Sequence, residues 1–145
     1  MSVRQISVFL ESRPGHIHRV LKAFQDGGVN VRGYCASDTG DYGIVRFVVD
    51  DPDRAEAVLR EAGAAYTSRP VLCVRLRDEP GELARVMGVM GRCGINVSYS
   101  YSLISTYIAL SVSDLARAEQ VLADEPVELA DQYDLAQCAP STKED

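Results

Sequence analysis

The apolar residues change from the spacing of a strand to that of a helix near the start of the chain. Ile6, Val8 and Leu10 recur at every second position, which is the period of a half-buried strand. After a Pro-Gly pair, apolar residues from Ile17 to Phe24 return at the i, i+3, i+4, i+7 spacing of an amphipathic helix. Two β-type segments, a second helix and a short strand follow. The predicted order is therefore strand, helix, strand, strand, helix, strand.

The same pattern occurs a second time along the chain. Pro14-Gly15 recurs as Pro80-Gly81, and Asn30-Val31 recurs as Asn96-Val97. The apolar positions of the first strand and first helix recur with them, at the same relative positions. A duplication that includes both the turn residues and the apolar pattern indicates two structural units of one type.

The first copy is longer than the second between its second and third strands. Asn30 and Val45 are 15 positions apart, whereas their counterparts Asn96 and Ile108 are 12 apart, which leaves three extra residues in the first copy. The extra residues belong to the run Ser-Asp-Thr-Gly-Asp at 37–41, which is rich in turn formers. This run predicts an enlarged hairpin loop.

These patterns predict an α+β fold of two ferredoxin-like βαββαβ units in tandem, each an antiparallel sheet with helices on one face. We assign residues 1–69 to the first unit, 70–131 to the second and 132–145 to a C-terminal tail, where the periodicity is lost. Only Arg69 and Pro70 separate the copies. We therefore expect the units to pack side by side rather than to move independently.

Composition narrows the class of protein. The chain has 145 residues, of which 46% are hydrophobic, enough to bury a core, and its net charge of -6 disfavours a nucleic-acid partner. We expect no membrane association, because no apolar run approaches the length needed to span a bilayer and the N-terminus lacks the features of a secretory signal.

Cys35, Cys73, Cys93 and Cys138 are scattered without metal-ligand spacing, so we expect reduced thiols, a cytoplasmic location and no metal. Cys138 lies in the polar tail, where we expect it to be exposed.

Tyr99 and Tyr101 alternate with Ser98, Ser100 and Ser102 on a predicted strand. Such a strand either presents hydroxyl groups to a pocket or an interface, or packs its rings within the sheet. Packing within the sheet is the interpretation that we favour.

The loops between the first strand and first helix of each copy are the candidate ligand sites. They run from 11 to 17 (Glu-Ser-Arg-Pro-Gly-His-Ile) and from 77 to 83 (Arg-Asp-Glu-Pro-Gly-Glu-Leu). A glycine at a helix start lets a ligand approach the backbone, and the free amides of the first turn favour a carboxylate. An α-amino acid carries such a carboxylate, although Pro-Gly that only forms a turn is an equally good interpretation of these residues.

The amino group of such a ligand needs hydrogen-bond acceptors. The candidates are Asp78, Glu79, Glu82, Asn30 and Asn96. Stabilisation of the turn after the helix is an equal alternative for the two asparagines. Arg13 offers a different possibility, an ion pair with an acidic ligand in the first loop. A shared histidine function is excluded, because the counterparts of His16 and His18 are Glu82 and Ala84.

The combination Arg-Asp-Glu-Pro-Gly-Glu-Leu followed by Gly-Ile-Asn-Val resembles the ACT-domain family, whose members have the βαββαβ unit. Both copies resemble it, and together they extend to about residue 130. The second copy matches better, at Asp78, Pro80, Gly81, Leu83 and the run 94–96. In the first copy, Ser12 stands where the family has an acidic residue and His16 where it has Glu or another polar residue.

The resemblance implies a regulatory protein rather than an enzyme, with an amino acid as ligand, no cofactor and sites at interfaces between ACT domains. It also implies a continuous eight-stranded sheet, a homodimer and regulation of a metabolic enzyme or another regulator in trans. Because the first copy departs from the pattern, the resemblance leaves open whether both loop sites or only one of them are functional. The implied ligand-binding residues are Ser12, Arg13, Gly15, His16, Ile17, Asn30, Asp78, Glu79, Gly81, Glu82, Leu83 and Asn96.

Other proteins of βαββαβ topology fit less well. An acylphosphatase-type enzyme needs a phosphate-binding loop rich in Gly and Arg, and a metal chaperone needs a CxxC loop. An RNA-recognition motif needs aromatic residues on its two central strands together with a basic surface. None of these features is present in the sequence. A dimerisation module without a ligand stays open as the alternative.

Overall fold

The computed structural model describes residues 2–137, whose elements follow the predicted order except that two predicted strands form one and a further helix follows the last strand. The first unit comprises β1 (Val3–Glu11), α1 (His16–Asp26), β2 (Val31–Asp38), β3 (Tyr42–Val49) and α2 (Pro52–Glu61). A long strand, β4 (Ala65–Arg75), leads into the second unit. That unit comprises α3 (Glu82–Arg92), β5 (Val97–Ser102), β6 (Tyr107–Val112), α4 (Leu115–Ala123) and β7 (Glu128–Ala130), and α5 (Gln132–Ala136) follows.

The second helix of each unit begins at an aspartate. The side chain of Asp51 accepts a hydrogen bond from the Arg54 amide at the start of α2, and Asp114 does the same for the Arg117 amide at the start of α4. Each bond satisfies one of the amides that a helix start leaves unpaired. The second helix of each unit therefore begins at a residue type that favours a helix start.

One strand, β4, belongs to both sheets. Its first half pairs with β1, with Val3 opposite Val71 and Phe9 opposite Ala65, and its second half pairs with β6 and β7. Over residues 2–137 the sheet has seven strands, ordered β2-β3-β1-β4-β6-β5, with β7 also on β4. The continuous sheet is confirmed, but with seven strands instead of eight, because β4 replaces two strands. The boundary assigned at residues 69 and 70 falls inside β4 and stays a prediction.

Each unit has its own hydrophobic core under its helices. In the first, Phe24 of α1 meets Phe47 of β3 edge to face, with ring centroids 5.2 Å apart. The apolar residues of the alternating strands and of the helical stripes fill both cores, as their spacing predicted. The first core includes Ile6, Val8, Val20, Phe24, Val45, Phe47 and Leu59, and the second includes Leu72, Val74, Val86, Met90, Leu110 and Leu122.

A third core lies between the helix-free faces of the two half-sheets. Val3 and Val48 of the first unit pack there with Cys73, Leu103 and Ala109 of the second. These residues point away from the helices, because side chains alternate across a strand. The sheet therefore curls on itself, and both pairs of helices lie on the outside.

The edges of the curled sheet meet at Gly33 of β2. Gly33 and Leu103 form an isolated antiparallel bridge, and the Ile104 amide donates to the Arg32 carbonyl over 2.8 Å. A Cβ added to Gly33 lies 2.2 Å from Cδ2 of Leu103 and 3.1 Å from its Cα. This close approach requires a glycine.

A polar cluster occupies the middle of the third core. The buried Gln5 side chain donates to the Tyr99 hydroxyl and accepts from the Tyr101 hydroxyl, both over 2.7 Å. The Arg46 guanidinium carbon lies 4.0 Å from the centre of the Tyr99 ring, a cation–π contact. Burial raises the pKa of Tyr101 above its ordinary value. The two tyrosines join the units through their hydroxyls, and their rings also stack on each other with Tyr101 packed against the third core. Both interpretations of this strand therefore hold in part.

The segment predicted as a tail begins with helix α5, which packs onto the rest of the chain. Leu135 is fully buried in the third core. Gln132 joins two strands of the first unit, since its Oε1 accepts from the Arg4 amide over 3.2 Å and its Nε2 donates to the Val49 carbonyl over 2.8 Å. The helix was missed because five residues are too short to show a period. Cys138, predicted to be exposed, lies outside the described residues.

Of the remaining cysteines, Cys73 is buried, whereas Cys35 and Cys93 are half-buried. None of the helices found over residues 2–137 is long and apolar enough to cross a membrane.

Substitution of Gly33 by alanine is expected to destabilise the protein by about 1–3 kcal/mol, because the new methyl group overlaps Leu103. Urea denaturation measures the loss. In a Leu103→Ala background the cost of Gly33→Ala is expected to fall by about 1 kcal/mol. Gly91→Ala is the control, since this helical glycine has open space around it and alanine favours the helix. Equal costs of Gly33→Ala in both backgrounds would contradict the contact.

Removal of the buried Leu135 side chain tests the docking of α5. Leu135→Ala is expected to cost about 2–5 kcal/mol of unfolding free energy, because it leaves a cavity in the third core. Tyr133→Ala on the same helix removes a side chain that is 70% exposed, and its cost is expected to stay within about 0.5 kcal/mol. Chemical denaturation of both variants makes the comparison, and similar losses would show that α5 does not stabilise the fold through Leu135.

Candidate functional site

The two candidate loops have the same backbone conformation. Gly15 precedes α1 with φ 88° and ψ -8°, and Gly81 precedes α3 with φ 88° and ψ -7°. These angles are left-handed, which explains the glycine in each copy. No described side chain caps either helix, and the amides of Ile17 and His18 have no hydrogen-bond partner within residues 2–137. The first helix of each unit, α1 or α3, thus begins with open amides. The second helix, α2 or α4, begins instead at a capping aspartate.

The first loop lines a cavity of ≈ 270 Å³ between β1, α1 and the β2–β3 hairpin. Four of the predicted site residues meet here, namely Ser12, Arg13, His16 and Ile17. The interior is mostly apolar. The other lining residues are Leu10, Glu11, Pro14, Ala36, Ser37, Asp38, Gly43 and Val45.

The enlarged β2–β3 hairpin forms one wall of this cavity and is bonded to the loop. The Ser12 amide donates to the Asp41 carbonyl over 3.0 Å, and the Ser12 hydroxyl donates to Oδ2 of Asp38 over 2.7 Å. The Gly40 amide donates to Oδ1 of Asp38, also over 2.7 Å. The hydrogen bond from Ser12, followed by that from Gly40, lowers the pKa of Asp38 below its ordinary value. Asp38 therefore carries a negative charge at neutral pH.

Sequence reasoning missed Asp38 as a site residue. The three extra residues in the first copy were the available signal, since they enlarge the hairpin that brings this carboxylate to the loop. The hydrogen bonds to Ser12 fix the direction in which the hairpin folds. The sequence does not reveal these bonds.

His16 and Arg13 are fixed by partners at the edge of the cavity. Nδ1 of His16 lies 2.8 Å from the Glu11 carbonyl, which only accepts, so Nδ1 carries a proton and Nε2 stays available. Arg13 forms an exposed ion pair with Glu11 over 2.9 Å. Exposed pairs of this kind contribute little to stability.

The second loop lies beside two adjoining cavities with a more polar surface. The smaller, of ≈ 330 Å³, brings together the predicted residues Asp78, Glu79, Glu82 and Leu83. The larger, of ≈ 810 Å³, shares Asp78 and Glu82 with it. A hydrogen bond from Arg85, over 2.9 Å, lowers the pKa of Glu82. The remaining residues of the smaller cavity are Leu76, Arg77, Ser102, Ser105, Thr106, Tyr107 and Ile108.

Asn30 and Asn96 lie away from the loops of their own units. Each directly precedes its strand, β2 or β5, whereas the hairpin that borders the loop follows the other end of that strand. The Asn30 amide donates to Oδ1 of Asp50, and the Asp50 amide donates to the Asn30 carbonyl. The Asn96 amide likewise donates to the Ser113 hydroxyl. The backbone of each asparagine therefore joins the start of its own strand to the end of the neighbouring strand. Stabilisation of the turn after the helix and a ligand contact by the side chains both stay predictions.

Within residues 2–137, no three His, Cys, Asp or Glu side chains are grouped so that they could hold a metal ion.

Replacement of Ser12 by alanine is expected to raise the pKa of Asp38 toward its ordinary value, since the hydroxyl hydrogen bond is the largest cause of its depression. Titration of the Asp38 carboxyl carbon by NMR measures the shift. A lowered folded-state pKa means that these hydrogen bonds stabilise the fold above the unfolded-state pKa and are lost as the pH falls through the folded-state value. Ser37→Ala is the control, and the same pKa in Ser12→Ala as in the unaltered protein would contradict the bond.

Comparison with solved structures finds the same arrangement in other proteins. Protein BT0572 from Bacteroides thetaiotaomicron is 28% identical, with a TM-score of 0.89 over 94% of this chain and 97% of that one. The ligand-free regulatory subunit of aspartate kinase from Thermus thermophilus is 20% identical, with a TM-score of 0.62 over 85% of this chain and 90% of that one. At that identity the second likeness shows the fold alone. No match was found among curated protein sequences.

A family profile described as an ACT domain pair matches residues 1–139. The match spans both repeats and agrees with the two βαββαβ units of the structure. The chain therefore belongs to the ACT-domain family, as a pair of ACT domains joined through one shared strand.

Proposed function

We propose that this chain is a regulatory protein that binds an amino acid in the cavity of its first unit and acts on a partner in trans. The observation that carries the proposal is a cavity of ligand size at the uncapped start of α1, lined by apolar side chains and bordered by Asp38. The similar fold of an aspartate kinase regulatory subunit supports a regulatory rather than a catalytic role. We place this activity in the cytoplasm, consistent with scattered thiols.

The ligand carboxylate binds the open amides of Ile17 and His18, where the helix dipole favours a negative charge. The ligand ammonium group faces Asp38. Donors and an acceptor placed on two sides of a small cavity fix the orientation of an α-amino acid.

Occupancy of this cavity affects the contact between the units through β2. The wall residues Ser37 and Asp38 are at one end of this strand, and Gly33, which meets Leu103, is on the same strand. A ligand that orders the hairpin therefore acts on the strand that closes the third core. This connection is the physical basis that we propose for regulation.

The second loop is the weaker candidate. Asp78, Glu79 and Glu82 supply acceptors for an ammonium group, but Arg85 already binds Glu82. We propose that the first site is the functional one, and that any second site binds a different ligand or binds more weakly.

We further propose that the chain acts as a homodimer. Dimerisation without a ligand is the alternative function. Apolar side chains stay exposed on the first unit, including Ile17 and Leu21 on α1 and Tyr34 on β2, which is 60% exposed. A second copy that covers this surface would remove these side chains from water.

Binding is tested by a thermal-shift screen of the proteinogenic amino acids with calorimetry of each hit. A ligand of the folded state at about 100 times its Kd is expected to stabilise it by about 2.7 kcal/mol. Gly15→Asp is expected to weaken binding at least about tenfold, because it places a second carboxylate where the ligand's carboxylate binds.

Gly15→Ala is the matched control, because it has the same backbone strain without the charge, and Gly81→Asp reports on the second loop. No stabilisation by any amino acid, with a stable dimer in solution, would contradict ligand binding and favour the dimerisation module. Loss of binding in Gly81→Asp alone would move the site to the second unit.

A further inference from the structure

We infer that the cavity of the first unit selects an α-amino acid with a branched aliphatic side chain, and that Asp38 receives its ammonium group. This inference rests on the proposed function and adds to it the chemical class of the ligand. Four features support it: the aliphatic surface of the cavity, the charge and remaining hydrogen-bond capacity of Asp38, the size of the cavity, and the different lining of the cavity in the second unit.

The inner surface of the cavity is formed by aliphatic side chains. Leu10 and Val45 line it, and both belong to or pack against the first hydrophobic core, which holds them in place. Ile17 and Ala36 extend this surface toward the solvent. A polar ligand side chain in contact with these four residues would lose hydrogen bonds to water without replacing them. An aliphatic side chain has no such bonds to lose.

The polar groups of the cavity lie on the loop and hairpin that border it. The carboxylate of Asp38 accepts one hydrogen bond at each oxygen, from Ser12 and from Gly40. A carboxylate oxygen has two lone pairs, so each oxygen keeps one for an ammonium group. Glu11, the other acidic residue of the cavity lining, is paired with Arg13. Asp38 is thus the carboxylate in place to bind a ligand cation.

The size of the cavity suits a single amino acid. Its volume of ≈ 270 Å³ lies just below the range of small-molecule pockets, about 300–1,000 Å³. A peptide or a nucleotide would extend well outside it. We expect a branched side chain of three or four carbons, such as that of valine or leucine, to fill the space lined by Leu10, Ile17 and Val45.

The second unit lacks this combination. Its cavity is bordered by Arg77, Asp78, Glu79 and Glu82, and its shorter hairpin contributes Ser105 and Thr106 but no carboxylate to the described lining. Charged side chains around a ligand disfavour an aliphatic group. Leu83 occupies the position of Ile17 in this unit, which provides a matched control for substitutions of the apolar surface.

Calorimetric titration with pairs of ligands of similar shape tests the class. Leucine is expected to bind at least about tenfold more tightly than asparagine, and valine more tightly than threonine, because each second member places a polar group on the aliphatic surface. Ile17→Ser is expected to weaken leucine binding, whereas Leu83→Ser is expected to leave it unchanged. Tighter binding of a polar or charged amino acid, abolished by Gly15→Asp, would overturn the class while the proposed site stands.

The role of Asp38 is tested with leucine and its 2-oxo acid, 4-methyl-2-oxopentanoate, which lacks the ammonium group. Asp38→Asn is expected to weaken leucine binding at least about tenfold and to spare the weaker binding of the oxo acid. Asp41→Asn, on the same hairpin, is the control and should change neither. Equal losses for both ligands in Asp38→Asn would overturn the ammonium assignment, and no binding of any amino acid would overturn the proposed function with it.

Discussion

The sharing of β4 by both units is the constraint on which the rest of the structure depends. A strand of 11 residues supplies the last strand of one ACT domain and the first strand of the next. No flexible linker then allows the domains to separate. Because the helices cover only one face of each half-sheet, the opposite faces meet when the sheet curls. Buried apolar side chains and the Gln5 hydrogen bonds then hold these faces together.

The curled sheet explains residues that a single ACT domain would not need. Glycine is favoured at position 33 because β2 closely approaches Leu103, which directly follows β5. Gln5 interrupts the apolar character of the third core, yet its amide is satisfied at both ends by tyrosine hydroxyls from the other unit. A buried amide bonded in this way favours one relative placement of the half-sheets, since any other leaves polar groups unpaired.

The fold was predictable from the sequence because it rests on local periods and on a repeat. The alternation at Ile6, Val8 and Leu10 and the helical spacing after Pro14 each depend on near neighbours. The roles of Gln5, Tyr99 and Tyr101 were not predictable, because they depend on contacts between residues far apart in the chain. For the same reason the loop was found as a candidate site but Asp38 was not. The position of Asp38 depends on how the hairpin folds over Ser12.

The difference between the copies suggests how a duplicated domain acquires one specialised site. Both units keep the glycine turn and the uncapped helix start, which are properties of the shared backbone. The first unit alone has the longer hairpin, and the residues added there place a carboxylate beside an aliphatic cavity. The second unit keeps more of the family's loop residues but surrounds them with charges, one of which is bound to Arg85. A unit can therefore match the family's loop residues without being suited to an aliphatic ligand. The match depends on the loop itself, whereas the suitability depends on the hairpin that forms the opposite wall of the cavity.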